Sequence, residues 1–214
     1  MKKLVVIIIV ILVAVQCTNK AKQSDKSTVE IKQQLIDSAR VKIEKAGILF
    51  VNAKGNVDSL NKVNNLYDEA IAFNPKDVNS YIMKIQFLSA IDKTKEAQSF
   101  NEMALKKFPD EQHLYFMQGL FYEKEGLLDL AQKSYNQTLL YYDKAIKKEP
   151  DNFDFLLKRV LVKMFAEDKD TFALEDYIDE LQEKYDEESD EYKRLTLIQE
   201  TASETSRAEI VESF

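Results

Sequence analysis

The sequence predicts an all-α protein made of stacked helical hairpins, and three observations support this prediction. Pro75 and Pro109 lie 34 residues apart, and an alanine stands five residues before each of them and before Pro150. A period of 34 residues is typical of helix–turn–helix repeats. The chain has only four glycines, three prolines and no tryptophan, and no strand-like alternation of Val, Ile and Thr persists after its N-terminal leader. Both features favour long helices over a turn-rich β-protein.

The chain opens with a segment typical of an export signal. Lys2 and Lys3 precede a run of twelve apolar residues at positions 4–15. Such a run fits the core of a signal peptide and is short for a membrane-spanning helix, which needs about 20 residues. We therefore predict a signal peptide over residues 1–16 and an exported protein.

Cys17, the only cysteine, directly follows this segment. A lone thiol in an oxidising compartment is a liability unless it is modified. Residues 13–17 resemble the cleavage box of bacterial lipoproteins, although such boxes usually have Leu and a small residue where this chain has Ala14 and Gln16. The resemblance implies that Cys17 is lipidated, and Thr18 after it favours the outer membrane. The alternative is an ordinary signal, or an uncleaved anchor, with an incidental cysteine.

From residue 28 onward the apolar pattern becomes helical, after a polar stretch that we interpret as a flexible tether. Apolar residues recur at spacings of three and four up to residue 50, which predicts an amphipathic helix that ends at a turn near Gly55. Asp58 is the predicted N-cap of a second helix, which ends before Pro75.

The best-defined repeat resembles the tetratricopeptide repeat family. It matches the family's pattern of large, small and aromatic residues at five positions: Tyr115, Gly119, Tyr122, Ala131 and Tyr135. The preceding copy keeps five more: Tyr81, Leu88, Ala97, Ala104 and Pro109. The resemblance implies an α-solenoid of about three to four helical hairpins plus a C-terminal helix. In such a fold Gly119 would allow two helix backbones to approach closely.

These predictions divide the chain into four segments. A signal peptide (1–16) is followed by the lipidated cysteine with its tether (17–27), the helical repeat domain (28–188), and a C-terminal capping helix with a tail (189–214). In the last segment Leu195 and Ile198 would cover the end of the stack. Apolar residues become sparse beyond Gln199, so we expect the chain to fray from there to Ile210.

One departure from the 34-residue period is informative. Pro109 and Pro150 are 41 residues apart, which is seven more than the period. Seven residues are close to two helical turns, so the insertion keeps an apolar stripe in register. We therefore predict one long helix over about 127–148. It is either a harmless insertion or a ridge that shapes a partner site.

The inventory of reactive residues argues against catalysis. A single histidine, His113, and a single cysteine build neither a zinc cluster nor a Ser-His-Asp set. The four glycines are scattered and form no phosphate-binding loop. A net charge of −7 without a basic face disfavours nucleic acid. We therefore expect a protein that is not an enzyme, needs no metal or cofactor, and does not bind nucleic acid.

In tetratricopeptide proteins the inner groove is lined by recurring positions of each first helix. The resemblance implies groove positions in three copies: Asn79, Ile82, Gln86 and Ser89; His113, Phe116, Leu120 and Glu123; and Asp154, Leu157, Leu161 and Met164. An apolar strip of this kind suits an amphipathic helix or an extended peptide. Its occupant is either a partner or a helix of the protein itself, from residues 28–50 or from the segment that contains Tyr192.

Together these patterns predict a membrane-tethered lipoprotein at the periplasmic face of a bacterial membrane, with the outer membrane favoured. It would act as a protein-interaction scaffold that docks another envelope protein or a peptide segment. The alternative is a periplasmic carrier or accessory protein with a small-molecule site in the groove.

Overall fold

The computed structural model describes residues 26–170, 172–203 and 206–214, and all regular secondary structure in these ranges is helical. The prediction of an all-α fold is therefore confirmed. The described residues contain ten helices: α1 (Lys26–Ala53), α2 (Val57–Phe73), α3 (Val78–Ala90), α4 (Thr94–Lys107), α5 (Gln112–Lys124), α6 (Leu128–Lys148), α7 (Phe153–Ala166), α8 (Phe172–Gln182), α9 (Asp190–Ser203) and α10 (Arg207–Glu212). The predicted signal peptide, Cys17 and the tether as far as residue 25 lie outside the described residues.

The helices belong to two compact units, with a boundary between Phe108 and Pro109. The first unit contains α1 to α4 and the second contains α5 to α10.

The turn between α1 and α2 forms where the sequence predicted it, but the N-cap is a different residue. Gly55 has a φ of 81°, a conformation that glycine adopts without steric cost. The N-cap of α2 is Asn56, whose side chain accepts a hydrogen bond from the backbone N–H of Ser59 at 2.9 Å. Asp58 was the predicted cap. It lies in the first turn instead, where its negative charge stabilises the positive end of the helix dipole.

Aromatic rings fill the space between the helices of the first unit. Phe50 of α1 meets Phe87 of α3 edge-on, with ring centroids 5.5 Å apart, and Tyr67 of α2 lies 5.7 Å from the same ring. Tyr81 of α3 stacks on Phe100 of α4 at 5.8 Å. Each pair contributes about 0.5–1.5 kcal/mol beyond the burial of its area. These contacts hold α3 between its chain neighbours.

The alanines that define the period are buried. Ala70, Ala104 and Ala131 are 0%, 0% and 2% exposed. Small side chains at such positions let packed helices approach closely. Their burial is compatible with the stacking that the 34-residue period predicts.

The inserted seven residues lengthen a helix, as predicted. Helix α6 is continuous over 21 residues, whereas α5 and α7 have 13 and 14. Its buried residues Ala131, Tyr135, Thr138 and Tyr142 are spaced by three, four or seven positions and therefore share one face. The apolar stripe thus stays in register through the insertion.

Gly119 of α5 accommodates an aromatic ring rather than a neighbouring helix backbone. A Cβ atom at this position would lie 2.6 Å from Cδ1 of Tyr135. The Tyr135 ring is fully buried, and its centroid lies 5.6 Å from that of Phe116 and 5.2 Å from that of Phe165. The resemblance correctly implied that a side chain is excluded here, but the close neighbour is the tyrosine.

The C-terminal residues are packed, although we expected fraying beyond Gln199. Helix α10 begins with a capping box, in which the Ser206 hydroxyl accepts from the Glu209 backbone N–H at 3.2 Å. The Glu209 carboxylate in turn accepts from the Ser206 backbone N–H at 3.0 Å. Because the box satisfies exposed backbone donors, a short helix forms here and buries Ile210 and Val211.

Substitution of Gly119 by alanine tests the contact with Tyr135. We expect Gly119→Ala to lower the free energy of unfolding by about 1–3 kcal/mol, because the confined ring has no room to shift. Urea unfolding followed by circular dichroism measures the change.

The matched control is Gly47→Ala in α1, where an added Cβ meets nothing within 4 Å. This change should raise the free energy of unfolding by about 0.5–1 kcal/mol through helix propensity alone. Equal effects of the two substitutions would contradict the proposed role of Gly119.

Candidate functional site

The predicted groove positions of the first unit lie along one face of α3. Asn79 is half-buried, whereas Ile82, Gln86 and Ser89 are buried. Neither Nε2 nor Oε1 of Gln86 has a hydrogen-bond partner within the described residues, and the same holds for the hydroxyl of Ser89. Each unsatisfied buried polar group costs about 1–3 kcal/mol. This face therefore carries donors and acceptors whose hydrogen-bonding capacity is unused.

The predicted groove positions of the second unit are also largely buried. Leu120 and Met164 are 0% and 1% exposed, and Leu157, Leu161 and His113 are buried too. Phe116 is half-buried, and its ring contacts Tyr135 of α6 and Phe165 of α7. Phe116 therefore takes part in packing between helices.

The C-terminal helices bind two of these groove positions directly. Arg194 of α9 pairs with Asp154 at 3.4 Å, and its guanidinium lies 4.8 Å from the centroid of the Phe153 ring. Arg207 of α10 pairs with Glu123 at 2.9 Å. Of the occupants that the sequence left open for this face, the protein's own C-terminal segment is the one in contact with it.

Arg207 binds four groups of the second unit. Its Nε and Nη2 donate to the two carboxylate oxygens of Glu123 at 2.9 and 3.0 Å, which is a bidentate pair. Its Nη1 lies 2.9 Å from Asp168 Oδ1 and donates to the Lys169 carbonyl oxygen at 3.1 Å. The guanidinium carbon lies 5.1 Å from the centroid of the Phe165 ring. We refer to Glu123, Asp168, the Lys169 carbonyl and the Phe165 ring as the arginine pocket.

The carboxylate of Glu123 is oriented from the interior of the unit. The Tyr135 hydroxyl donates to Glu123 Oε2 at 2.8 Å. Burial, together with the charge and hydrogen bond of Glu123, raises the pKa of Tyr135 well above its ordinary value. The phenol therefore stays protonated and keeps donating this bond.

Sequence reasoning did not single out Arg207. The readable signal was the Ser206 and Glu209 pair, whose spacing is that of a capping box and marks a helix start. A helix there places Arg207 and Phe214 seven residues apart on one face. Nothing in the local sequence indicates that Glu123 is the partner, because it lies 84 residues away.

His113 is buried as a neutral side chain. Burial, and then the positive charge of Lys158, lower the pKa of His113 from 6.5 to about 4. Its Nε2 has no hydrogen-bond partner in the described part of the chain. The backbone N–H of the same residue donates to the Glu111 carboxylate at 3.3 Å, which caps α5.

Other kinds of site were sought in the described ranges. No cluster of three or more His, Cys, Asp or Glu side chains there is arranged to hold a metal ion. None of the helices in those ranges combines the length and the apolar character that crossing a membrane requires. An open depression of about 460 Å³ lies along α4, where Phe100 and Met103 supply its apolar lining.

Comparison with known proteins gives no relative: no protein-family model, no curated protein and no solved structure matches the chain. The likeness to tetratricopeptide repeats therefore rests on the residues of this chain alone.

The neutral state of His113 predicts a pH-dependent stability. The unfolded chain binds a proton at the ordinary pKa of 6.5, whereas the folded chain binds it only near pH 4. Folding stability should therefore fall as the pH drops from 6.5 towards 4, by about 1.4 kcal/mol per pH unit. Urea unfolding at several pH values in this window measures the slope.

The control is His113→Gln, which keeps a polar side chain of similar length but does not titrate. The difference between the wild-type and His113→Gln curves isolates the histidine from Glu111 and the other carboxylates. Parallel curves for the two proteins between pH 6.5 and 4 would contradict a neutral, buried imidazole.

Proposed function

We propose that this protein is a non-catalytic, membrane-tethered scaffold of the bacterial cell envelope that binds an extended segment of another protein. Tetratricopeptide-like helical repeats form its binding part. The observation that carries the proposal is the unused hydrogen-bonding capacity of Gln86 and Ser89 on the predicted groove face of α3.

The chemistry of Gln86 favours a peptide as the ligand. A carboxamide offers one donor group and one acceptor, and an extended peptide backbone presents a C=O and an N–H of matching kind. Asn79 adds a second carboxamide on the same face, two helical turns away. An apolar small molecule would leave these groups unsatisfied, which is costly in a buried site.

The charge of the chain favours a basic partner. The net charge is −7, and opposite charge on a partner accelerates association and selects against acidic competitors. A segment rich in Lys or Arg next to its docking residues fits this surface better than an acidic tail.

The N-terminal sequence supports the tether. Cys17 directly follows the predicted signal peptide, and a lipidated cysteine at this place would hold the protein at the membrane. Each buried CH₂ of an acyl chain contributes about 0.8 kcal/mol, so several chains on one residue anchor firmly. The scaffold would thus work at the periplasmic face of a membrane.

Substitution of Gln86 tests the binding face. We expect Gln86→Leu to raise the free energy of unfolding, by up to about 1–3 kcal/mol, because it removes unsatisfied polar atoms. The same change should sharply reduce the partner recovered by cross-linking and pull-down from detergent-solubilised membranes. Opposite effects on stability and on capture would separate a binding residue from a structural one.

Gln34→Leu, on the exposed surface of α1, is the matched control and should leave capture unchanged. Unchanged capture by Gln86→Leu would show that this face does not bind the partner. If no protein is recovered and a small molecule raises the melting temperature instead, the scaffold proposal is wrong and the carrier alternative holds.

Substitution of Cys17 tests the anchor. Cys17→Ser keeps the size of the side chain but removes the thiol to which a lipid would be attached. We expect the wild-type protein to sediment with membranes and the variant to appear in the soluble periplasmic fraction. A variant that still fractionates with membranes would show that lipidation does not hold the protein there.

A further inference from the structure

The C-terminal segment, residues 206–214, contacts the second unit in the way that a peptide ligand contacts a groove. Phe214 meets Phe121 of α5 edge-on at 5.5 Å, and the Lys124 side chain donates to the Glu212 carbonyl oxygen at 3.0 Å. Arg207 enters the arginine pocket at the other end of the segment. Ile210 and Val211 are buried between these ends. Anchors at positions one, four, five and eight of a helix are typical of a helix bound in a groove.

The arginine pocket has a shape and charge that select a guanidinium. Glu123 is largely buried, at 15% exposure, and its two oxygens match the planar fork of arginine. The Tyr135 hydroxyl fixes this carboxylate from behind, so the pocket is organised by residues outside the C-terminal segment. Asp168 supplies a second negative charge at the exposed rim, and Phe165 supplies an aromatic face.

We propose that the arginine pocket is a recognition site for an arginine-containing peptide, and that the C-terminal segment is its intramolecular ligand. An external partner would displace this segment with a helix that carries an arginine, aliphatic residues three and four positions later, and an aromatic residue seven positions later. The proposal rests on the proposed function, because it describes a second face through which the scaffold would bind protein segments.

The energetics of the contact suit a displaceable segment. A buried ion pair contributes more to specificity than to net stability, since desolvation of both charges offsets their attraction. The segment is held mainly because its attachment to the same chain gives it a local concentration on the order of millimolar. An external peptide must exceed that advantage, so the contact inhibits weak ligands and admits strong ones.

A labelled peptide with the sequence of residues 206–214 tests the proposal on the detergent-solubilised full chain. Arg207→Ala in the chain weakens the internal ligand, so this variant should bind the peptide about tenfold or more tightly than the wild-type chain does, as measured by fluorescence anisotropy. A peptide that carries Arg207→Ala should bind the variant chain about tenfold more weakly, because it loses the charge-assisted bonds. Arg194→Ala, which removes a different ion pair of the C-terminal helices, is the matched control and should not increase binding.

Three results would overturn the proposal. The first is equal binding of the two peptides to the Arg207→Ala chain, because the pocket would then not recognise arginine. The second is a mass of two copies for the wild-type chain that falls to one copy with Arg207→Ala, because the segment would then bind a neighbouring molecule. The third concerns hydrogen exchange in the wild-type chain, a measurement that does not depend on whether the variant folds. A displaceable segment should exchange its amides about 100-fold faster than α5 and α7, and equal protection would make it a fixed part of the unit.

The outcomes separate this proposal from the proposed function. Failure of peptide binding, with partner capture that still depends on Gln86, would remove the arginine site and leave the scaffold. Peptide binding without any captured partner would leave the arginine site and remove the scaffold.

Discussion

The second unit depends on the contact between Gly119 and the ring of Tyr135. Because residue 119 has no side chain, the ring lies against α5 and is in contact with Phe116 and Phe165. From this position its hydroxyl reaches Glu123 and fixes the carboxylate that binds Arg207. One glycine thus determines the core of three helices and, through a hydrogen bond and an ion pair, the place of the C-terminal segment.

The features that could be predicted from the sequence are those that repeat or that act within a few residues. Ala70, Ala104 and Ala131 are buried because a period of 34 places them at equivalent points of successive helices. The long helix α6 followed from the spacing of the prolines, since a heptad preserves a helical stripe. Asn56 was missed as a cap because two adjacent candidates offer similar chemistry and only the backbone geometry decides between them.

The candidate sites show where this reasoning ends. Helical spacing correctly placed Ile82, Gln86 and Ser89 on one face, yet spacing states neither what covers a face nor whether its polar atoms are satisfied. The bond between Arg207 and Glu123 joins residues 84 positions apart, so no local pattern contains it. The burial of Ile210 depends on the same long-range contacts, which is why sparse apolar residues suggested fraying instead.

The two groove faces differ in what a ligand would gain on them. On α3 the carboxamide of Gln86 is buried without a partner, so a peptide that satisfies it recovers about 1–3 kcal/mol for each group. On α5 the carboxylate of Glu123 already has a guanidinium and a phenol as partners, so a ligand there gains only the difference between its own bonds and those it replaces. The first face therefore favours any segment that reaches its polar atoms, whereas the second admits only a segment that binds better than the protein's own. A partner that docks on the first face gains nothing from Arg207, and a partner of the second face must itself carry an arginine.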